Sequence, residues 1–265
     1  MLELFALSVI RKAFVASVLV GLLLPLVGNF ALMTRTAFLG AGIAHIAFAG
    51  VAFGIMLSFS PLLGAFLFAL LSVAFIWYAE KRNWITYDVG MSILFSFFMA
   101  LAILFLGLTK QYSGEAMSYL FGSVLTVSTV DIILLFITVL LFSIFVGVFY
   151  KELFHIILSR DLALASGLPV DTFTFLMLLF MTISVVVSMK AVGALLVFGL
   201  LVMPSAAAYR LAFRFHRMIL LSLVFGLISS IAGFFISLTL DIPSGAAIVI
   251  IAFLLLIISF IFSRK

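Results

Sequence analysis

The chain has 265 residues, of which 67% are hydrophobic and 9% are charged, and it contains no cysteine. A soluble domain is about half apolar and about a quarter charged, so this composition excludes an ordinary soluble fold and predicts an all-α polytopic membrane protein. The net charge of +5 does not indicate a nucleic-acid partner, because most Lys and Arg residues fall in loops predicted below for one side of the membrane.

Nine apolar stretches are long enough to cross a bilayer as helices, and they predict a single domain over residues 1–265. An amphipathic lead-in, residues 1–12, precedes them. The predicted spans are 13–33, 36–59, 61–79, 89–108, 130–150, 172–189, 191–208, 218–238 and a ninth that begins after Gly245. Spans six and seven meet at Lys190 with almost no loop, and segment 109–129 is too rich in Gly and Ser to be a span.

The basic residues predict the orientation of this chain. With nine spans, ten Lys and Arg residues collect on one side and four on the other. The positive-inside rule makes the first side cytoplasmic, so we expect the N-terminus outside and the C-terminus in the cytoplasm. We expect the chain to be a multi-pass protein of a bacterial or archaeal plasma membrane.

The second predicted span carries His45, the only ionisable residue that lies away from the ends of a span. A titratable group in hydrocarbon is costly, so it is a candidate functional residue. Its neighbours along the helix are small, which allows close helix packing; they include Ala41, Ala49, Gly50 and Gly54. An imidazole is a common transition-metal ligand, but a structural histidine bonded to a neighbouring carbonyl fits the sequence equally well.

The longest polar connection, residues 151–171, contains the sequence SRDLALASG at Ser159–Gly167. Ser159 is a candidate N-cap, Asp161 suits the first helical turn, and Gly167 suits the end, so we expect a short helix there. Leu162, Leu164 and Leu168 are the apolar residues of this segment that could meet a partner. They fit either the groove of a partner protein or the surface of the bilayer.

Residues 192–212 are rich in small residues and include Gly193 and Pro204. Close helix packing accounts for the small residues, and a proline kink that lines a conduit is the alternative. All nine carboxylates fall in loops or at span ends, and the chain lacks the motifs of metalloproteases, P-loop ATPases and serine hydrolases. If the protein moves a solute, we therefore expect the energy to come from another polypeptide.

Five segments together resemble the membrane permeases of zinc and manganese ABC importers. In chain order they are LGAGIAHIAFAGVAFG (39–54), YLFGSVL (119–125), SRDLALASG (159–167), VGALLVFGLLVMPSAAAYRLA (192–212) and DIPSGAAIVI (241–250). The resemblance implies a non-enzymatic permease that works as a homodimer or related dimer with two cytoplasmic ATP-hydrolysing subunits. It also implies an extracytoplasmic metal-binding protein, and a coupling helix at Ser159–Gly167 that includes Arg160.

The resemblance further implies a transported zinc or manganese ion, no permanently bound cofactor, and metal contact at His45. Members of this family often carry an aspartate four residues before this histidine, whereas this chain has Ala41. We therefore expect any further ligands to come from other helices, or the site to bind only weakly. Two other functions remain open at this stage: a self-powered carrier or channel, and a membrane scaffold in which His45 is structural.

Overall fold

The structure is a computed structural model and describes residues 7–109 and 114–263. In this part of the chain all regular structure is helical. The helices are α1 Ser8–Met33, α2 Ala37–Met56, α3 Pro61–Lys81, α4 Tyr87–Leu108, α5 Gly114–Phe121, α6 Thr129–Val148, α7 Tyr150–Leu158, α8 Arg160–Ala165, α9 Val170–Val192, α10 Ala194–Leu211, α11 Phe215–Leu240 and α12 Ser244–Ile261.

Nine helices in the described ranges are long and apolar enough to cross a membrane: α1, α2, α3, α4, α6, α9, α10, α11 and α12. This result confirms the predicted all-α membrane fold. Successive spans run in opposite directions, so the loops lie at two ends of one bundle. We call the end with Arg35, Arg82, Arg160 and Arg214 the basic end, and the other the opposite end.

Helices α1, α2 and α9 are largely buried and form the centre of the bundle, whereas α4 and α6 are mostly exposed. Lipid is as apolar as leucine, so close backbone contact at small residues has to hold such helices together. Gly21 of α1 lies against Gly226 of α11, and Gly28 of α1 lies against the carbonyl of Leu201 in α10. The central helices therefore leave no room for side chains where they cross.

Two boundaries differ from the sequence predictions, and one segment has helical structure that the sequence did not predict. The described part of the lead-in belongs to α1, which starts at Ser8, while residues 1–6 lie outside the described residues. The junction of spans six and seven is Gly193 instead of Lys190, because the backbone turns at Gly193 with φ of +98°. Segment 109–129, predicted as polar and not a span, has no spanning helix among its described residues and includes helix α5 and a short 3-10 helix, Val124–Thr126.

Candidate functional site

His45 lies in the middle of α2 and is half-buried. On the same side of this helix Phe38 is 42% exposed and Ala41 is half-buried, whereas most other residues of α2 are buried. These three positions are spaced by three and four residues, so they follow one helix face. The imidazole therefore lies where a buried central helix reaches the surface of the single chain.

Two contacts fix the ring of His45. Its Nδ1 atom lies 2.8 Å from the carbonyl oxygen of Ala41, one turn back on α2. The ring also meets that of Phe95 on α4, with centroids 4.7 Å apart in an edge-to-face arrangement. Because a carbonyl oxygen only accepts hydrogen bonds, the neutral ring carries its proton on Nδ1 and keeps the lone pair of Nε2 for another partner. Metal-binding histidines commonly have this arrangement.

The single chain does not supply a complete set of metal ligands. In residues 7–109 and 114–263, no group of three or more His, Cys, Asp and Glu side chains is arranged to hold an ion. The position one turn before His45 is Ala41, which offers a methyl group to the site and no carboxylate. A transition metal at His45 would therefore need ligands from another molecule or from water.

Ala49, Gly50 and Gly54 are buried in α2, and the two glycines contact α3. The Cα of Gly50 lies against the carbonyl of Gly64 in α3, and a Cβ atom built on Gly54 would lie 2.9 Å from the Cα of Pro61. The two helices thus touch backbone to backbone at two points. The two glycines therefore join α3 to the helix that carries His45.

Gly193 and Pro204 are also packing positions. Gly193 separates α9 from α10 and lies against the backbone of Phe121 and Gly122. Pro204 is buried inside α10. The next residue, Ser205, donates from its hydroxyl to the carbonyl of Pro25 in α1, at 3.0 Å. The structure therefore places Gly193 in a backbone contact with the end of α5, and Pro204 in the buried part of α10.

The sequence SRDLALASG forms the predicted short helix, α8, at the basic end. The hydroxyl of Ser159 accepts a hydrogen bond from the backbone N–H of Leu162, and Gly167 follows the helix with φ of +77°. Leu162 and Leu164 are 70% and 50% exposed. Asp161, in the first turn, is exposed as well. The helix therefore presents two leucines outward from the bundle, which is the arrangement a partner groove requires.

Two ion-pair groups were not predicted from the sequence. At the basic end, Arg160 of α8 lies between Glu80 and Asp171. At the opposite end, the ammonium of Lys190 lies 2.9 Å from Asp131, which forms a capping box with Ser128 at the start of α6. The sequence shows only that each of these residues stands near the end of a span. It does not show which residues pair, because pairing between distant segments depends on which helices become neighbours.

The opposite end is closed by segment 114–128, which packs into the bundle. The backbone N–H of Val124 donates to the hydroxyl of Ser244 at 3.2 Å, and that of Ser123 donates to the carbonyl of Lys190 at 3.1 Å. Tyr119 is buried in the same region. Burial, with the nearby charges of Asp131 and Glu115, raises the pKa of Tyr119 to about 12 and keeps the phenol neutral. This segment is thus part of the fold and not a free loop.

The described residues form a bundle of nine apolar helices, with an imidazole on an outward face and a capped helix outside the bundle. These are the features of a multi-pass membrane permease. The ABC 3 transport family matches residues 6–263, and the chain belongs to that family. The resemblance inferred from five sequence segments is therefore confirmed.

Relatives with assigned names support the same class. The chain is 32% identical over 256 residues to the manganese transport system membrane protein MntC of Listeria innocua, covering 97% of this chain and 91% of that protein. It is 34% identical over 246 residues to a Thermotoga maritima protein named "Probable metal transport system membrane protein", covering 93% and 87%.

A solved structure has the same fold over the whole chain. PsaBC from Streptococcus pneumoniae in complex with Fab superposes with a TM-score of 0.88 at 29% identity, covering 100% of this chain and 97% of that one. The protein is a multi-pass membrane permease of a metal ABC importer.

Proposed function

We propose that this permease carries manganese across the membrane as the translocation subunit of an ATP-driven importer, with His45 contacting the ion in transit. The observation that carries the proposal is the geometry of His45: it lies on an exposed face of a buried helix, and its Nδ1–H is committed to Ala41 so that Nε2 is free. The proposal of manganese as cargo rests on the names of the relatives. Zinc is the second candidate.

A second copy of the permease is part of this proposal. Each chain offers one imidazole at an exposed face and no neighbouring carboxylate at Ala41, and α4 beside it is mostly exposed. Two copies that meet at this face would bring two imidazoles to one pathway. Nitrogen and oxygen ligands bind zinc more tightly than manganese, so selectivity would depend on geometry and on the metal that is delivered. An extracytoplasmic metal-binding protein would make that delivery.

Weak binding suits this role, because an ion held too tightly in a conduit is not released. The energy would come from cytoplasmic ATP-hydrolysing subunits that dock on α8. In the described ranges, the Asp and Glu residues of the nine spans lie in the first or last turn of their helices, for example Asp88, Asp131 and Asp171. A carrier driven by protons or sodium commonly needs such groups deeper in the membrane, so this distribution favours an external source of energy.

The orientation of the chain follows the basic residues: we propose that the basic end is cytoplasmic. The chain lacks cysteine, so single cysteines report on one site each. Glu115→Cys should react with a membrane-impermeant maleimide on intact cells, and Arg214→Cys should react only after permeabilisation. The cysteine-free parent gives the background. Labelling of both variants on intact cells would contradict the nine-span arrangement, and the reverse pattern would contradict the orientation.

The proposed function is tested with purified permease and its ATPase in liposomes. We expect Mn²⁺ uptake that requires both the ATPase and ATP. Leu164→Glu should abolish this uptake and lower the amount of ATPase that co-purifies by about tenfold or more, because it places a charge at an apolar contact on α8.

Leu240→Glu is the matched control, since Leu240 is 65% exposed at the other end of the bundle. It should leave the association with the ATPase unchanged. Uptake without the ATPase would indicate a self-powered carrier or channel, and no uptake under any condition would indicate a scaffold. If Leu164→Glu binds the ATPase as well as the parent does, α8 is not the docking helix.

A further inference from the structure

Helix α8 is tied to two membrane helices through one side chain. The guanidinium of Arg160 reaches Glu80, in the last turn of α3, at 3.5 Å through Nη1. It reaches Asp171, in the first turn of α9, at 3.2 Å through Nη2. The two ends of the guanidinium therefore contact carboxylates on two different helices. Only a forked side chain makes both contacts at once.

Asp171 has further contacts with α3. The ammonium of Lys81 lies 3.3 Å from Asp171 and 5.1 Å from the ring centre of Trp77. The indole N–H of Trp77 donates to the backbone carbonyl of Asp171 at 3.3 Å. These contacts join the end of α3 to the start of α9 independently of Arg160. We call Glu80, Lys81, Arg160 and Asp171 the ion-pair cluster.

Apolar packing contributes little to the position of α8. Within this helix only Ala163 is buried, while Leu162 and Leu164 extend outward. Behind α7 and α8 lies a cavity of about 610 Å³, bounded by residues of α1, α7 and α9, and Glu80 and Arg160 line it as well. Among the hydrogen bonds of the described residues, those of Arg160 are the side-chain bonds that join α8 to α3 and α9.

The cluster leads by direct contact to the helix that carries His45. Helix α3 starts at Pro61 and ends at Lys81, and its first half touches α2 backbone to backbone. Gly64 lies against Gly50, and Pro61 lies against Gly54. Packed helices of this kind move as rigid elements. A displacement of the end of α3 would reach α2 through these contacts.

We propose that Arg160 is a positioning residue that transmits the movement of α8 to α3 and α9, and through α3 to the helix bearing His45. This proposal rests on the proposed function, because it assumes that an ATPase docks on α8. It separates two roles within the same short helix. Leu162 and Leu164 bind the partner, whereas Arg160, half-exposed, pairs with Glu80 and Asp171 and converts the movement of the partner into a movement of the membrane helices.

The test measures Mn²⁺ uptake per ATP hydrolysed by the purified permease–ATPase complex in liposomes. Arg160→Met keeps most of the length of the side chain and removes its charge. We expect it to retain ATPase association and ATP hydrolysis but to lower uptake per ATP by about tenfold, within the usual range of coupling between two sites. Arg160→Lys should recover only part of the loss, because one ammonium does not replace the two contacts of the fork.

Arg35→Met is the matched control. Arg35 lines the same cavity, and it makes no ion pair in the part of the chain that the structure describes. It should leave uptake per ATP unchanged. Glu80→Gln should lower the ratio on its own, and in the Arg160→Met background it should add no further loss, because the two residues act through one interaction.

Each result decides a different point. A normal ratio in both Arg160→Met and Glu80→Gln would overturn the proposal. Loss of ATPase association in Arg160→Met would overturn it as well, because Arg160 would then be a docking contact. If Arg160→Met does not insert into the membrane, uptake per ATP in Arg160→Lys and Glu80→Gln tests the proposal instead. Failure of the proposed function is seen separately, as an absence of ATP-dependent uptake in the parent complex.

Discussion

Replacing His45 with alanine should lower Mn²⁺ uptake to background while leaving the amount of inserted permease close to that of the parent. The imidazole is the only side chain in the interior of α2 that offers a metal ligand. Its Nδ1–H donates to the carbonyl of Ala41, so the lone pair of Nε2 is available to an ion. Loss of groups that merely support a ligand costs about 10–100-fold in metal affinity, so loss of the ligand itself should cost at least as much. Initial uptake rates in liposomes measure the effect.

His45→Gln distinguishes the ligand from a structural histidine. Glutamine keeps a hydrogen-bonding amide on the helix but replaces the imidazole nitrogen with a poorer ligand. If His45 binds the ion, uptake by His45→Gln should be as low as that of His45→Ala. If His45 instead supports the fold through Ala41 and Phe95, glutamine should preserve uptake and alanine should lower the Tm. Full uptake by His45→Ala would end the ligand hypothesis.

Ala41→Asp tests the same site by adding a group. Residues four apart lie on one helix face, so an aspartate here would stand beside His45 and share an ion with it. Position 41 is half-buried, which leaves part of it open. We expect bound Mn²⁺ to be retained more tightly and released more slowly by Ala41→Asp. No gain in retention would mean that the face with His45 does not hold the ion.

Gly50→Ala should strongly reduce the yield of folded permease. A Cβ atom at this position would overlap the backbone carbonyl of Gly64 in α3, and a backbone group has no alternative rotamer to move into. Overpacking of a tight contact costs about 1–3 kcal/mol, and the contact here is between main chains. The measurement is the Tm of the permease in detergent, together with the fraction that elutes as a single species.

Gly147→Ala is the matched control within the same fold. Gly147 lies in α6, and a Cβ atom built there meets no other atom within 4 Å. Because alanine favours a helix over glycine by up to about 1 kcal/mol, this variant should be as stable as the parent or more so. The two substitutions are chemically identical and should have effects of opposite sign. Equal stability of both variants would show that α2 and α3 separate easily, and would remove the rigid link on which the role of Arg160 depends.

Much of the fold was predictable because each span must satisfy its own backbone hydrogen bonds in lipid, so length and hydropathy mark each helix directly. The helix at Ser159–Gly167 was predictable for a similar reason. Its cap is local: the hydroxyl of Ser159 meets the N–H of Leu162, three residues along the chain. His45 was identified as a candidate from its depth within a span, before any neighbour was known.

The predictions were incomplete where the structure depends on distant partners. Lys190 was predicted as the junction of spans six and seven, with almost no loop. In the structure the helix continues to Val192 and turns at Gly193, and the ammonium of Lys190 pairs with Asp131. Segment 109–129 was predicted from its Gly and Ser content not to be a span, but the burial of Tyr119 and Val124 within it was not predicted. Burial of a polar segment depends on partners that lie far away in the sequence.

The sequence by itself determined the membrane class, the number of spans, the cap of α8 and the isolation of His45, since each depends on residues close together in the chain. Only the tertiary structure decided which helices touch. It placed Phe95 against His45, Gly64 against Gly50, and Glu80 with Asp171 around Arg160. Arg160 and Glu80 stand 80 residues apart. Contacts over such distances arise from the packing of whole helices, in which one glycine or one charge selects a neighbour that no local pattern specifies.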